Sequence, residues 1–283
     1  MSKRTDNRHR VATVCREATG LPHHTCLRWA ADGLISRSQP VPDAEGADQR
    51  ALEAELLVVL ANGLRGDQLD GAVLGLVRSV PGPEGVELWV HPEMGTRVLS
   101  VLLPRVDLAR QLRYGVPGLR PVREGGRVRL RSLLRNASVV LAHPDPEWAS
   151  YLDQPACAEH IWWHNRDHLH PWETDGPVGA TDAGADRDRL LSRLIRRPRL
   201  VNAAGSAHGW ANAYTRNARE LSIEWCCSVE ADDLTRRLCR SGLTAGQDSA
   251  GRGGGRLAFG EAALVVRKGP CGLVKQLPRI HGC

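Results

Sequence analysis

Long apolar runs are missing from this sequence of 283 residues, and none approaches the ~20 residues that a membrane-spanning helix requires. The basic N-terminus, MSKRTDNRHRV, has no apolar stretch behind it, so the pattern of a secretory signal is also missing. Apolar residues make up 42% of the chain and charged residues 25%, close to the globular average, which excludes wholesale disorder. The sequence therefore predicts a globular, cytoplasmic protein without a membrane span.

Signatures of catalysis are missing as well. None of the eight cysteines forms a C-x-x-C pair, and several lie in apolar patterns, as Cys226 does in LSIEWCC. We expect reduced, mostly buried thiols, because a disulfide framework or a zinc ribbon needs other spacings. There is no G-x-S-x-G, and GRGGGR at 251–256 lacks the Lys-Ser/Thr pair and the following helix of a P-loop. The sequence favours binding over catalysis.

Lysine is nearly absent, although the chain is basic. The formal net charge is +6, and only Lys3, Lys268 and Lys275 are lysines. Arginine binds phosphate with a bidentate fork and stacks on bases, so the excess of arginine suits a nucleic-acid partner. A GC-rich genome gives the same replacement of lysine by arginine, so codon bias is the alternative explanation.

The N-terminal segment has the spacing of a helix-turn-helix. Residues 7–31 read as two short helices that break at Thr19-Gly20-Leu21-Pro22, with one apolar face on each helix. In a helix-turn-helix the second helix enters the major groove of DNA. An ordinary helical hairpin gives the same pattern. The residues expected on the exposed side of the second helix are His23, His24, Thr25 and Arg28.

Two amphipathic segments that begin with acidic residues resemble each other. They are Asp43–Leu57 and Asp182–Ile195. After each we predict a helix of small residues, at Leu69–Val80 and Leu200–Tyr214, and then a strand, a helix and a strand pair. The predicted strands are Val86–Val90 and Leu221–Cys227, and the helices after them are Met94–Leu103 and Ala231–Arg240. A repeat of about 130 residues is too long for a solenoid, so the pattern predicts two α/β units related by a pseudo-twofold axis. The fold class is α+β. The predicted divisions are a helical hairpin at 1–42, a first repeat at 43–143, a Pro/Trp/His-rich connection at 144–181 and a second repeat at 182–283.

The connection holds the densest polar cluster, CAEHIWWHNRDHLHPWETD. Its imidazoles are those of His160, His164, His168 and His170. The first three repeat at i, i+4 and i+8, so a helix would place them on one face, where they could bind zinc or another divalent metal. The segment does not match H-E-x-x-H, and the alternative is an aromatic loop that packs on the surface.

A strand with alternating arginines is the second basic feature. Arg127, Arg129 and Arg131 share one face of a predicted strand, and Arg123 and Arg135 flank them. Such a face is suited to contact phosphates, although a solvated outer face has the same pattern.

The segment Leu221–Gly246, followed by GGRLAFGEAALVVRKG, resembles a unit of the LAGLIDADG family, which includes homing endonucleases and a bacterial sporulation regulator with a helix-turn-helix domain. The resemblance implies two glycine-bearing helices packed against each other, here through Gly71 and Gly75 and through Gly205 and Gly209. It also implies metal-binding acids at their ends. Residues 76–83 and 200–219 contain no Asp or Glu, so the resemblance implies binding without cleavage, in a regulatory or mobile-element-associated role.

Together these patterns predict a non-catalytic protein that binds double-stranded DNA and needs no cofactor. The alternative is a metal-dependent hydrolase, a phosphoesterase or nuclease, that uses the cluster from His160 to His170. Protein partners and oligomeric state stay open.

Overall fold

The computed structural model describes residues 2–65, 71–107, 112–153, 166–174, 184–204, 210–244, 248–251 and 254–269. Among the helices described, none has both the length and the apolar character needed to cross a membrane. The five cysteines described are free thiols, and three of them are buried, as the sequence predicts for these positions.

The chain begins with two helices that share a small core of their own. Helix α1 spans Ser2–Thr19 and helix α2 spans His23–Ala31. The three-residue turn between them contains Gly20, whose φ of +82° lies in the left-handed region that glycine adopts without strain. The predicted break between two short helices is therefore confirmed.

A first five-stranded sheet follows helix α3, which spans Ala47–Gly63. Its strands lie in the order β1-β2-β7-β6-β5, with β2 and β7 parallel and the other pairs antiparallel. A short hairpin, β3–β4, follows helix α4. The elements after α3 are β1 (Leu76–Pro81), β2 (Val86–Val90), α4 (Gly95–Leu102), β3 (Arg105–Asp107), β4 (Leu112–Tyr114), β5 (Leu119–Glu124), β6 (Arg127–Ser132) and β7 (Ser138–Ala142).

The second half of the chain forms another five-stranded sheet. Between the sheets lie a 3₁₀ helix at Pro146–Asp153 and a four-residue helix, α5, at Pro171–Thr174. The second sheet has the order β10-β11-β12-β9-β8, with β9 and β12 parallel and the other pairs antiparallel. Its elements are α6 (Gly184–Ile195), α7 (Pro198–Asn202), β8 (Ala211–Asn217), β9 (Glu220–Trp225), α8 (Ala231–Arg240), β10 (Asp248–Gly251), β11 (Gly254–Phe259) and β12 (Ala262–Lys268).

Each sheet packs one face against helices. Its other face is called the open face, although the segment at 166–174 covers part of it in the first sheet, around Arg120. Alternation along β6 places Val128 and Leu130 in the core, while the arginines between them lie on the opposite face. On β12 the same alternation places Leu264 and Val266 in that core. One cluster of buried apolar side chains joins both sheets, because α3 and α6 pack against each other between them.

Each half of the chain also closes the edge strand of the other half. The Asn62 side chain at the end of α3 donates to Thr215 Oγ1 on β8 at 3.0 Å and accepts from the Thr215 N–H at 3.0 Å. In the other direction, Asn202 Nδ2 on α7 donates to the Leu76 carbonyl on β1 at 2.7 Å. These contacts satisfy backbone groups at strand edges that would otherwise be open to pairing.

The two predicted small-residue helices are wrong in the described part of the chain. Leu69–Val80 ends in strand β1, and the described part of Leu200–Tyr214 contains the last three residues of α7 and the first four of β8. Gly71 and Gly75, to which the family resemblance assigns helix packing, have φ of +80° and +65°, values that interrupt a helix. Gly205 and Gly209 lie outside the described residues. The relationship to the LAGLIDADG family itself stays a prediction.

Candidate nucleic-acid interface

The helix pair α1–α2 is attached to the edge of the first sheet. Its core consists of six buried side chains, and Val80 of β1 packs against it from the open face of the sheet. A Cβ at Gly20 would lie 2.8 Å from Arg199 Cδ and 3.2 Å from the Val77 carbonyl oxygen, so the turn fits closely against β1 and α7. The six core residues are Val11, Ala12, Cys15, Leu21, Cys26 and Ile35.

Two thiols face each other inside this core. Cys15 on α1 and Cys26 on α2 are both fully buried. Their mutual hydrogen bond raises the pKa of Cys15, to which burial adds, and lowers the pKa of Cys26. Fully buried thiols of this kind are packing residues and are poorly placed to react.

Helix α2 is partly exposed to solvent. Cys26 is its one fully buried residue, His24 and Arg28 are exposed, and His23 and Thr25 are half-buried. The His23 ring lies beside that of His9 on α1, with centroids 5.8 Å apart. The four predicted residues thus lie on one short helix, but only His24 and Arg28 are exposed as predicted, and His23 and Thr25 are partly covered.

The segment that carries α2 is also basic. Residues 1–37 contain seven arginines and lysines and three carboxylates, so they supply +4 of the formal +6. Within the described residues, no carboxylate lies within ion-pair distance of Arg8, Arg16, Arg28 or Arg37, all of which are exposed. Glu17 pairs with Arg240 at 3.6 Å. This surface is therefore available to an anionic partner.

The arginines of β6 lie together on the open face of the first sheet, as predicted, but each has a carboxylate partner. Arg127 pairs with Glu87 at 3.3 Å, and Arg131 pairs with Asp167 at 3.4 Å. Arg129 donates to both oxygens of Glu124, at 2.6 and 2.9 Å, and these hydrogen bonds lower the pKa of that carboxyl. A phosphate contacting these arginines must therefore compete with carboxylates.

The two flanking arginines lie on the helix side of the sheet. Arg123 is opposite Val128 in the ladder, so its side chain is on the core side, where it donates to the Ala149 carbonyl and to Asp153. Arg135 follows β6 and forms a bidentate pair with Glu55 of α3, at 2.7 and 2.8 Å. The five predicted arginines thus do not form one surface.

Sequence reasoning missed an aromatic residue on the open face. The Arg78 guanidinium lies 3.7 Å from the centre of the Trp89 ring, and Trp89 Nε1 donates to Glu87 at 2.7 Å. Because Glu87 also pairs with Arg127, a stack of arginine and tryptophan is joined to the arginines of β6. Period-two alternation across VELWV places Glu87 and Trp89 on one face and was the available signal.

Two of the four predicted metal-binding histidines, His168 and His170, lie within the described residues. His170 Nδ1 accepts from the Trp172 N–H at 3.3 Å, and His168 is exposed while its carbonyl accepts from Arg120 at 2.8 Å. His160 and His164 lie outside the described residues. Within the described residues, no group of three or more His, Cys, Asp and Glu side chains is placed to hold a metal. The predicted metal site stays a prediction.

A buried ion pair holds the segment at 166–174 on the first sheet. Arg120 donates to both oxygens of Glu173, at 2.9 and 2.7 Å, and both side chains are almost fully buried. Burial alone would raise the pKa of Glu173, but the Arg120 hydrogen bond and the N–H groups of His170 and Gly118 lower it overall. The side chain of Glu173 therefore holds this segment against the first sheet.

Comparison of the chain with protein-family models, with curated proteins and with solved structures finds no match.

Proposed function

We propose that this protein binds double-stranded DNA through the helix pair α1–α2, with α2 entering the major groove. The observation that carries the proposal is the exposed face of α2, where Arg28 has no ion-pair partner among the described residues. The short turn, the separate core and the positive charge of residues 1–37 support it.

The open face of the first sheet adjoins the helix pair and provides a secondary contact in this proposal. Val80 lies on that face and packs against the helix-pair core, so the two surfaces are continuous. Since Arg127, Arg129 and Arg131 each have a carboxylate partner, we expect them to contribute less than unpaired arginines would. Phosphate contacts position a protein on DNA, and contacts from α2 to base edges would supply sequence preference.

We further propose that the two halves arose by duplication of one α-β-β-α-β-β-β unit. The identical strand order, the matching pair directions and the reciprocal asparagine contacts support this. The helices at the contact between halves are α3 and α6, and Leu52, Leu56 and Leu57 on α3 correspond to Leu190, Leu194 and Ile195 on α6. In this proposal the helix pair is an addition to the duplicated scaffold.

The test is a fluorescence-anisotropy titration of a labelled DNA duplex at low and moderate salt. We expect His24→Ala, Thr25→Ala and Arg28→Ala together to weaken binding at least tenfold, since each good base contact is worth about 1–3 kcal/mol. Replacing Arg127, Arg129 and Arg131 by Gln should cause a smaller loss of DNA affinity. The slope of log affinity against log salt concentration should fall by the equivalent of fewer than about three phosphate contacts.

The matched control for the α2 variant is Arg236→Ala with Arg237→Ala on α8, where both arginines pair with Asp233. We expect this control to bind like the wild type. Absence of wild-type binding even at low salt would refute the proposed function. Equal binding by the α2 variant and the wild type would refute the assignment of the surface.

A further inference from the structure

A shallow groove of 260 Å³ lies on the open face of the second sheet. Strands β8, β9, β11 and β12 all contribute to it, and its charged lining residues are Arg216, Glu220, Arg256 and Arg267. None of these residues belongs to the helix pair or to the first sheet, so this groove is distinct from the interface described above.

The strand register brings two arginines to the same part of this face. Arg256 on β11 is directly opposite Val265 on β12, and Arg267 follows Val265 by two residues, so the side chains share one face. A diagonal pair of this kind is separated by roughly 7–8 Å between Cα atoms, close enough for two long side chains to reach one ligand.

Both arginines are exposed and have no ion-pair partner among the side chains that the structure describes, although Asp248 on β10 is directly opposite Arg256 in the ladder. Arg216 pairs with Glu220 at 3.3 Å. Glu224 adjoins Arg267 in the ladder, but its Oε1 accepts from the Tyr214 hydroxyl at 2.7 Å. The groove therefore keeps two unpaired guanidinium groups, which favour a doubly charged or bridging oxyanion.

The first sheet provides an internal comparison. Arg129 in the first sheet occupies the position equivalent to Arg256 in the second. Arg129 is opposite Val140 on β7, and Arg256 is opposite Val265 on β12; β7 and β12 are the strands that also form the parallel pair of each sheet. Arg129 is neutralised by Glu124, whereas Arg256 has no such partner among the described residues. The same framework thus carries a paired arginine in one half and an unpaired one in the other.

A glycine leaves room between the two arginines. Gly254 is opposite Arg267 and two residues before Arg256, at the position that Arg127 occupies in the first sheet. A Cβ at Gly254 would already lie 3.5 Å from Arg267 Cγ and 3.1 Å from the Val266 carbonyl oxygen. Any larger side chain would fill the space beside both guanidinium groups.

We propose that this groove binds a phosphate group through Arg256 and Arg267. The phosphate is that of the DNA backbone if the proposed function holds, in which case the second sheet is a further contact for the same ligand. A small phosphorylated molecule offers the same chemistry and is distinguished by the experiment.

The test compares wild type with Arg256→Gln/Arg267→Gln in two measurements. In a DNA titration at several salt concentrations, we expect the variant to bind several-fold more weakly and the salt slope to fall by about two phosphate contacts. In a thermal-shift measurement with inorganic pyrophosphate as the probe, we expect wild type to be stabilised and the variant to respond less. Arg236→Gln/Arg237→Gln on α8 removes the same charge and is the control, because α8 packs on the opposite face of β11 and β12.

The outcomes separate the two proposals. If the groove variant binds DNA more weakly and the α8 control does not, the ligand of the groove is the phosphate of the DNA backbone. Pyrophosphate stabilisation of wild type and control, with DNA binding unchanged or absent, supports a small phosphorylated ligand. The groove proposal is overturned if the groove variant matches wild type and control in both measurements. Failure of wild type to bind DNA refutes the proposed function independently of the pyrophosphate result.

Discussion

At the scale of single residues, the charged side chains in the interior connect the two halves of the molecule. Arg196, at the end of α6, donates to both oxygens of Glu53 on α3 at 2.7 Å, and both side chains are fully buried. Gln49 and Ser192 donate to the same carboxylate, so its acceptors are satisfied. Arg197 is also buried, which lowers its pKa to about 9, and it donates to the carbonyls of Ser241 and Arg193.

Removing one partner of the buried pair should be far more costly than removing both. We expect Glu53→Leu to lower the free energy of unfolding by about 3–5 kcal/mol, because it leaves the Arg196 charge buried and unpaired. Adding Arg196→Met should restore much of that loss, and urea unfolding measures both. Glu261→Gln, which removes an exposed pair with Arg219, is the control and should have no measurable effect. A similar small effect for Glu53→Leu would contradict this account.

Glu173 gives a prediction for pH. Its pKa in the folded protein is lowered from 4.5, so the folded state binds this proton less readily than the unfolded state. The stabilisation is therefore complete above the unfolded pKa and is lost as the pH falls through the lower, folded-state pKa. The difference in urea midpoint between wild type and Glu173→Gln should be constant between about pH 7 and 5.5 and should shrink as the pH falls below 4.5 towards the folded-state pKa. A difference that grew with acidification would have the wrong sign.

At the scale of elements, the sequence predicts those whose pattern is unambiguous. The strand at Val86–Val90 and the helix at Ala231–Arg240 are confirmed with their predicted bounds. The segment that forms strand β1 was predicted as a helix, because its small apolar residues fit the spacing of a helix as well as that of a strand. The glycines before it, which end any helix in the structure, occur in both kinds of sequence pattern. The partners of Arg127 and Arg131 were not predictable, because Glu87 and Asp167 are distant from them in sequence and only the fold brings them close.

The turn of the helix pair permits a matched test of close packing. Gly20 and Gly33 both have positive φ, +82° and +76°, but a Cβ at Gly33 would meet nothing within 4 Å. Gly33→Ala should lower stability by about 1 kcal/mol through backbone strain alone. Gly20→Ala should cost more and weaken DNA binding, since its Cβ would clash with Arg199 and displace the helix pair from β1 and α7. Equal losses in chemical unfolding would show that the turn is not held closely against the sheet.

At the scale of the whole molecule, two apolar clusters predict two cooperative units. One cluster contains both sheets and the α3–α6 contact, while the helix pair has a separate cluster of six residues. Regions with few buried apolar contacts open at lower free energy than the main core. The helix pair should therefore exchange its amide hydrogens through a local opening, and the two sheets should exchange theirs through a shared, global one.

Hydrogen exchange on core variants tests this division. Leu194→Ala on α6 removes a fully buried side chain near the contact between halves, which should lower stability by about 2–5 kcal/mol. Because the core is shared, protection of β7 in the first sheet should fall by the same free energy as protection of β12 in the second. Val11→Ala in the helix-pair core is the control, and it should lower protection in α1 and α2 while leaving both sheets unchanged. If Leu194→Ala reduced protection in β12 alone, the two halves would be independent domains, and the buried pair of Glu53 and Arg196 would not couple their unfolding.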